Sequence, residues 1–122
     1  MTKERPKLEN LIHAQTTDVE VFQNTVLRPI IKMQHHLLIA FFKSFLHKRK
    51  IDFGSLSLEN QKSTIKSALE KDIAFKNQII GCVLGQFSMK EYDMYSKNSS
   101  EFNRRIKQII IKRLQDSILD IS

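Results

Sequence analysis

The sequence predicts an all-α protein, a single-domain bundle of four to five helices. Three observations predict it. Apolar residues recur at the three-and-four spacing of one helical face, and no segment alternates with the period of two that marks a half-buried strand. Across 122 residues only Gly54, Gly81, Gly85, Pro6 and Pro29 interrupt long elements. A chain of this length buries one core without help from metals or disulfides.

Residues 1–16 show no periodicity and read as a flexible N-terminal arm, leaving 17–122 as the helical bundle domain. Thr17-Asp18-Val19-Glu20 fits a capping box, in which the threonine hydroxyl and the glutamate carboxylate each accept from an otherwise unpaired backbone amide. The helix it opens carries one apolar stripe through Val19, Phe22, Val26, Ile30, Met33, Leu37, Phe41 and Phe45. A second runs through Leu27, Ile31, Leu38 and Phe42. Pro29 lies inside this pattern and, lacking an amide hydrogen, must kink or divide the helix. His47-Lys48-Arg49-Lys50 places cations against the negative end of the helix dipole, which stops it.

Residues 51–57 form a connector, with Ser57 or a neighbour as the next cap. The second long helix is expected to carry Ile65, Leu69, Ile73, Lys76, Ile80, Val83 and Phe87 on one face and to end near Gly85. Ser88-Met89-Lys90-Glu91 is another capping box, opening a short helix to about Tyr95. After the polar turn 96–99, a last helix to about Leu119 buries Phe102, Ile106, Ile109, Ile110, Leu114 and Ile118.

The longest continuous apolar run, Leu37 to Phe42, is far short of the roughly 20 residues that cross a bilayer, and the charged N-terminus does not resemble a secretory signal. No membrane partner is expected, and the expected location is the cytoplasm. Cys82 is the only cysteine and lies in an apolar run, which predicts a buried structural thiol. The formal charge is +7, with nine Lys or Arg against four acids in residues 1–50. Such an excess attracts polyanions.

No catalytic or metal site is expected. His35 and His36 are adjacent on a helix and point about 100° apart, so they cannot share an ion. No Cys-x-x-Cys, Glu-x-x-His or glycine-rich phosphate loop occurs, and no cofactor is expected. Asp72 and Lys76, four apart, are expected to form an intrahelical ion pair at the edge of the core. Lys32, His36, Ile39, Lys43, His47 and Lys50 share one side of the first helix. Ser88 to Ile106 has the outline of a helix-turn-helix with Arg104, Arg105 and Lys107 in its second helix. The nucleic-acid candidates are therefore Lys32, Lys43, Lys50, Arg104, Arg105 and Lys107. Gly81-x-x-x-Gly85 would let another helix approach closely.

The segments Leu27 to Gln34 (LRPIIKMQ), Gly85 to Tyr92 (GQFSMKEY) and Asn98 to Arg105 (NSSEFNRR) resemble a family of short uncharacterised bacterial helical proteins that sometimes carry the label glyoxalase. The resemblance spans about residues 17–119 and implies a helical domain. Glyoxalases of the vicinal-oxygen-chelate type present His, Glu or Gln metal ligands on strands. This chain has no matching positions, so the resemblance carries over no catalytic residue.

Two stripes on one helix are more apolar surface than four to five helices in 122 residues cover within one chain. The expectation is a non-enzymatic interaction module, most simply a homodimer, with Leu38, Phe42, Phe45, Gly81 and Gly85 as its interface. The competing class is a nucleic-acid or ribonucleoprotein-associated basic protein.

Overall fold

The computed structural model describes residues 18–122, and every described element is helical. The predicted arm and the Thr17 cap lie outside the described residues. Seven helices are present among those described, more than the four to five expected, because both long helices are interrupted. They are α1 (18–33), α2 (His35–Lys48), α3 (Leu58–Lys71), α4 (Ile73–Leu84), α5 (Met89–Ser96), α6 (Ser99–Gln115) and the single turn α7 (Ile118–Ile121).

Within α1, Gln23–Leu27 forms a π turn, closed by the Arg28 amide donating to the Gln23 carbonyl. The wider turn absorbs the proline. Pro29 then stands at the start of the α-helical piece Arg28–Met33, where a missing amide costs least. The interruption itself falls later, at Gln34, whose φ of −97° and ψ of 15° separate α1 from α2. At the other end of α2, Lys50 adopts φ 56°. The Lys50 amide donates to the His47 carbonyl and that of Ile51 to the Leu46 carbonyl, a Schellman closure with lysine in the place that usually holds glycine.

A 3₁₀ turn at Phe53–Ser55 sinks Phe53 into the core, and the buried Gln61 side chain donates to its carbonyl at 2.9 Å. Ser57 caps α3 by accepting from the Asn60 amide. The expected single helix to near Gly85 is instead broken at Asp72, which leaves the helical conformation (φ −90°, ψ 105°) and caps α4 by accepting from the Phe75 amide at 2.8 Å. That break resets the buried face. Phe75, Ile79 and Val83 point inward, whereas Ile73, expected inside, is 69% exposed. Asp72 therefore cannot form the expected intrahelical pair with Lys76; its partner is Arg49, 23 positions away.

Gly85 does close α4, with an ordinary φ of −62°. Ser88 and Glu91 make both bonds of the expected capping box, at 3.1 and 2.8 Å. Helix α6 lies nearest α3 and also contacts α1, α4 and α5, while α2 closes on α7. Its Phe102, Ile106, Ile110 and Leu114 repeat every four residues and are all buried, each stabilising the fold by about 1.5–3 kcal/mol through area removed from water. Phe22 of α1 packs between Phe87 and Phe102, with ring centroids at 5.8 and 4.6 Å.

The two stripes of the first helical stretch exchange their expected roles. Leu27, Ile31, Leu38 and Phe42 are fully buried, joined by Ile39 and Leu46. Beyond Ile30 the other stripe turns outward: Met33 is 64% and Leu37 45% exposed, and Phe41 and Phe45 are half-buried.

Candidate interaction surface

Helices α2 and α4 lie side by side and antiparallel, pinned at both ends. At one end the Gln34 side-chain Nε2 donates to the Cys82 carbonyl at 3.2 Å. At the other, the rings of Phe45 and Phe75 lie 4.8 Å apart, Arg49 sits 5.1 Å above the Phe45 ring, and the Arg49–Asp72 ion pair closes the junction. The aromatic rings hold the two backbones apart and leave a groove of about 310 Å³, whose walls include Phe41, Ser44, Ala74 and Gln78.

The outward residues flanking this groove follow from helical spacing. On one side they are Met33 at the end of α1 and Leu37, Phe41 and Ser44 of α2; on the α4 side, Ala74, Gln78, Gly81 and Gly85. These eight are uncharged, and the charged lining, Lys48, Arg49 and Asp72, gathers at the Phe45–Phe75 end. Gly81 is exposed, and a Cβ placed there would meet nothing within 4 Å. The glycines are therefore not a crossing point inside this molecule. They form a shallow notch beside the protruding Met33 and Leu37, since the Gln34–Cys82 bond brings those two ends together.

This geometry revises the expected interface. Gly81, Gly85 and Phe45 do lie on one side of the molecule, but Leu38 and Phe42 belong to the chain's own core and have no surface to offer. Their stripe and its neighbour are equally apolar in sequence, so periodicity alone could not choose between them. Met33 and Leu37 were legible as apolar positions but not as exposed ones.

The basic candidates divide in the same way. Lys32, Lys43 and Lys50 are exposed with His36 and His47, whereas Ile39, expected on the same strip, is buried. None of these cations forms an ion pair among the described residues. One acid, Asp120, lines a groove with His36 and Lys43. Arg104 and Arg105 are instead bound internally, both to Glu101, at 2.6 and 2.7 Å. Arg105 also donates to the Gln23 side chain at 2.8 Å. Hydrogen bonds from Arg104, then from Arg105, hold the Glu101 carboxyl down to about 2, and the same contact raises Arg104. Lys107 is half-buried. The outline of two helices at 88–106 is present, and both arginines of its second helix are paired with Glu101.

Among the described residues no three His, Cys, Asp or Glu side chains converge as a metal site. The imidazoles of His35 and His36 meet edge to face at 5.1 Å, and His35 Nδ1 lies 3.2 Å from the Arg113 guanidinium. Cys82 is half-buried rather than buried, and partial desolvation raises its thiol above the usual range. Among the described residues no helix is long and apolar enough to cross a membrane. Comparison with family models, with curated proteins and with solved structures gives no match.

Proposed function

We propose that the chain is a non-enzymatic interaction module that forms a homodimer through the α2–α4 face. One observation carries this reading: the exposed apolar side chains of Met33 and Leu37 stand at the end of the α2–α4 groove where Gly81 is open, away from the charged end at Lys48, Arg49 and Asp72. Knob and notch are neighbours on the same surface. A second copy related by a two-fold axis therefore seats each Met33–Leu37 ridge in the other's notch, the self-complementarity an isologous interface requires. Glycine at the contact lets the helices approach closely, as in other small-residue crossings.

Two helices of 14 and 12 residues span about 21 and 18 Å at 1.5 Å per residue and are together roughly 20 Å wide. Such a face supplies less than the roughly 800 Å² per partner of a standard interface. The expected dimer is accordingly reversible, dissociating in the micromolar range. Sedimentation velocity across that range tests it. The wild-type protein should shift from monomer to dimer, and Leu37→Glu should stay monomeric with its helical circular dichroism unchanged. Gly81→Ala should weaken association while stabilising the monomer by about 0.5–1 kcal/mol through helix propensity. A wild-type chain that stays monomeric at about 100 µM would rule the dimer out.

A second reading draws on the exposed cations Lys32, Lys43 and Lys50 with His36 and His47, none of them in an ion pair among the described residues. They form a polyanion-binding strip on the side of α2 away from the groove. It predicts RNA or DNA binding that weakens steeply with salt and is lost in a Lys32→Glu, Lys43→Glu double variant. Absence of a mobility shift at low salt would exclude it.

A further inference from the structure

A further concave feature lies between α1 and α6 and shares no lining residue with the α2–α4 groove. Its volume is about 170 Å³, and it is lined by Gln23 and Arg28 of α1 and by Arg105, Gln108, Ile109 and Lys112 of α6. Three of the six are cations, two are amides and none is a carboxylate.

The π turn builds the first half of this cleft. Residues five apart in an α-helix diverge by roughly 140° around its axis, so Gln23 and Arg28 would face different directions. Closing the turn from the Arg28 amide to the Gln23 carbonyl brings the two into near register, both toward α6. Turns of this kind recur at functional sites. On α6 the spacing of Arg105, Gln108 and Lys112 is three and then four, which is one helical face.

The donors are only partly used. Arg28 spends Nε on Asn24 at 3.1 Å. Arg105 spends Nε on Glu101 and Nη1 on Gln23. Lys112 Nζ contacts Asp116 at 3.2 Å but stays largely exposed. Among the described residues this leaves both Nη groups of Arg28, Nη2 of Arg105, the side-chain amides of Gln23 and Gln108, and two ammonium hydrogens without a bond. The bonds that Arg105 donates to Glu101 and Gln23 hold its guanidinium in place, half-buried, which lowers the entropic cost of using it.

We propose that this cleft binds a phosphoryl group, through the two Nη groups of Arg28 as a forked donor, Nη2 of Arg105 as a single fixed donor and Lys112 as a point charge. A tetrahedral dianion matches donors arriving from two helices, and guanidinium forks suit its oxygens. The cleft is too small for a whole nucleotide, since pockets for drug-sized ligands start near 300 Å³. The ligand is therefore either free phosphate or the phosphate end of a larger monoester whose remainder projects into solvent.

Isothermal titration calorimetry on the full chain at low salt, with inorganic phosphate, a nucleoside monophosphate and the matching nucleoside, separates these sources. Saturable binding of phosphate with weaker monoester binding assigns the free ion; equal binding of both assigns the phosphate end of a monoester. The nucleoside should not bind. Arg28→Gln and Lys112→Gln, both at exposed positions, should each weaken binding by about tenfold, while Lys66→Gln on α3, none of whose residues lines the cleft, should leave it unchanged. Unsaturable heats with both phosphates, or equal weakening by Lys66→Gln, would overturn the assignment.

Discussion

The Arg49 guanidinium pairs with one oxygen of the Asp72 carboxylate while the other oxygen caps α4 through the Phe75 amide. A single side chain thus ends α3, begins α4 and ties both to the end of α2. Asp72→Ala loses cap and ion pair together and should cost about 1–2 kcal/mol. Asp72→Asn keeps a capping oxygen, and Arg49→Gln removes a pair whose arginine is 57% exposed, so each should cost about 1 kcal/mol or less. Urea denaturation of the three variants gives the order; Asp72→Asn as damaging as Asp72→Ala would mean that the ion pair, not the cap, dominates.

Glu101 makes stability depend on acid pH. Its carboxyl titrates at about 2 when folded, against 4.5 for a free glutamate, because the Arg104 and Arg105 hydrogen bonds favour the charged form. A carboxyl depressed on folding contributes stability that is fully present above the unfolded value and is lost as pH falls through the folded one. The melting temperature should therefore fall between pH 4.5 and about 2, and Glu101→Gln should flatten that limb while lowering the plateau above it. Parallel profiles for the two proteins would contradict the pairing.

Adjacent leucines should respond in opposite ways. Leu38 is fully buried and Leu37 is nearly half exposed, so Leu38→Ala should cost about 2–5 kcal/mol through lost transfer energy and a cavity. Leu37→Ala should stay within about 0.5 kcal/mol at concentrations where the chain is monomeric. Chemical denaturation below micromolar protein separates this from any loss of dimer.

Lys50 carries a left-handed backbone at φ 56° in the Schellman closure of α2. Side chains disfavour that region by about 1–2 kcal/mol, and glycine does not, though glycine has more entropy to lose on folding. Lys50→Gly should accordingly stabilise the protein by about 0.5–1 kcal/mol. A destabilised variant would show that the lysine side chain contributes to the fold beyond its backbone.

The local features are legible in the sequence alone. The all-helical class, the Ser57 cap, the Ser88–Glu91 box, the stop after His47 and the Phe102–Leu114 stripe depend on residues within a turn or two of one another. Asp72 is legible as a charged position but not as a cap, because nothing local distinguishes a carboxylate inside a helix from one that caps the next. Its partner Arg49 comes from an earlier helix. The candidate interface was half legible: Gly81, Gly85 and Phe45 are on the surface side, Leu38 and Phe42 are not.

By itself, then, the sequence determined that the chain is helical, where most helices start and stop, and that the first long stretch is apolar on two stripes. Only the tertiary structure decided which stripe is core. The physical reason is that amphipathic periodicity fixes the angle between side chains on one helix but not the rotation of that helix against its neighbours. That rotation is set by contacts distant in sequence, here Gln34 with Cys82 and Phe45 with Phe75, which turn Leu38 and Phe42 inward and leave Met33 and Leu37 facing out.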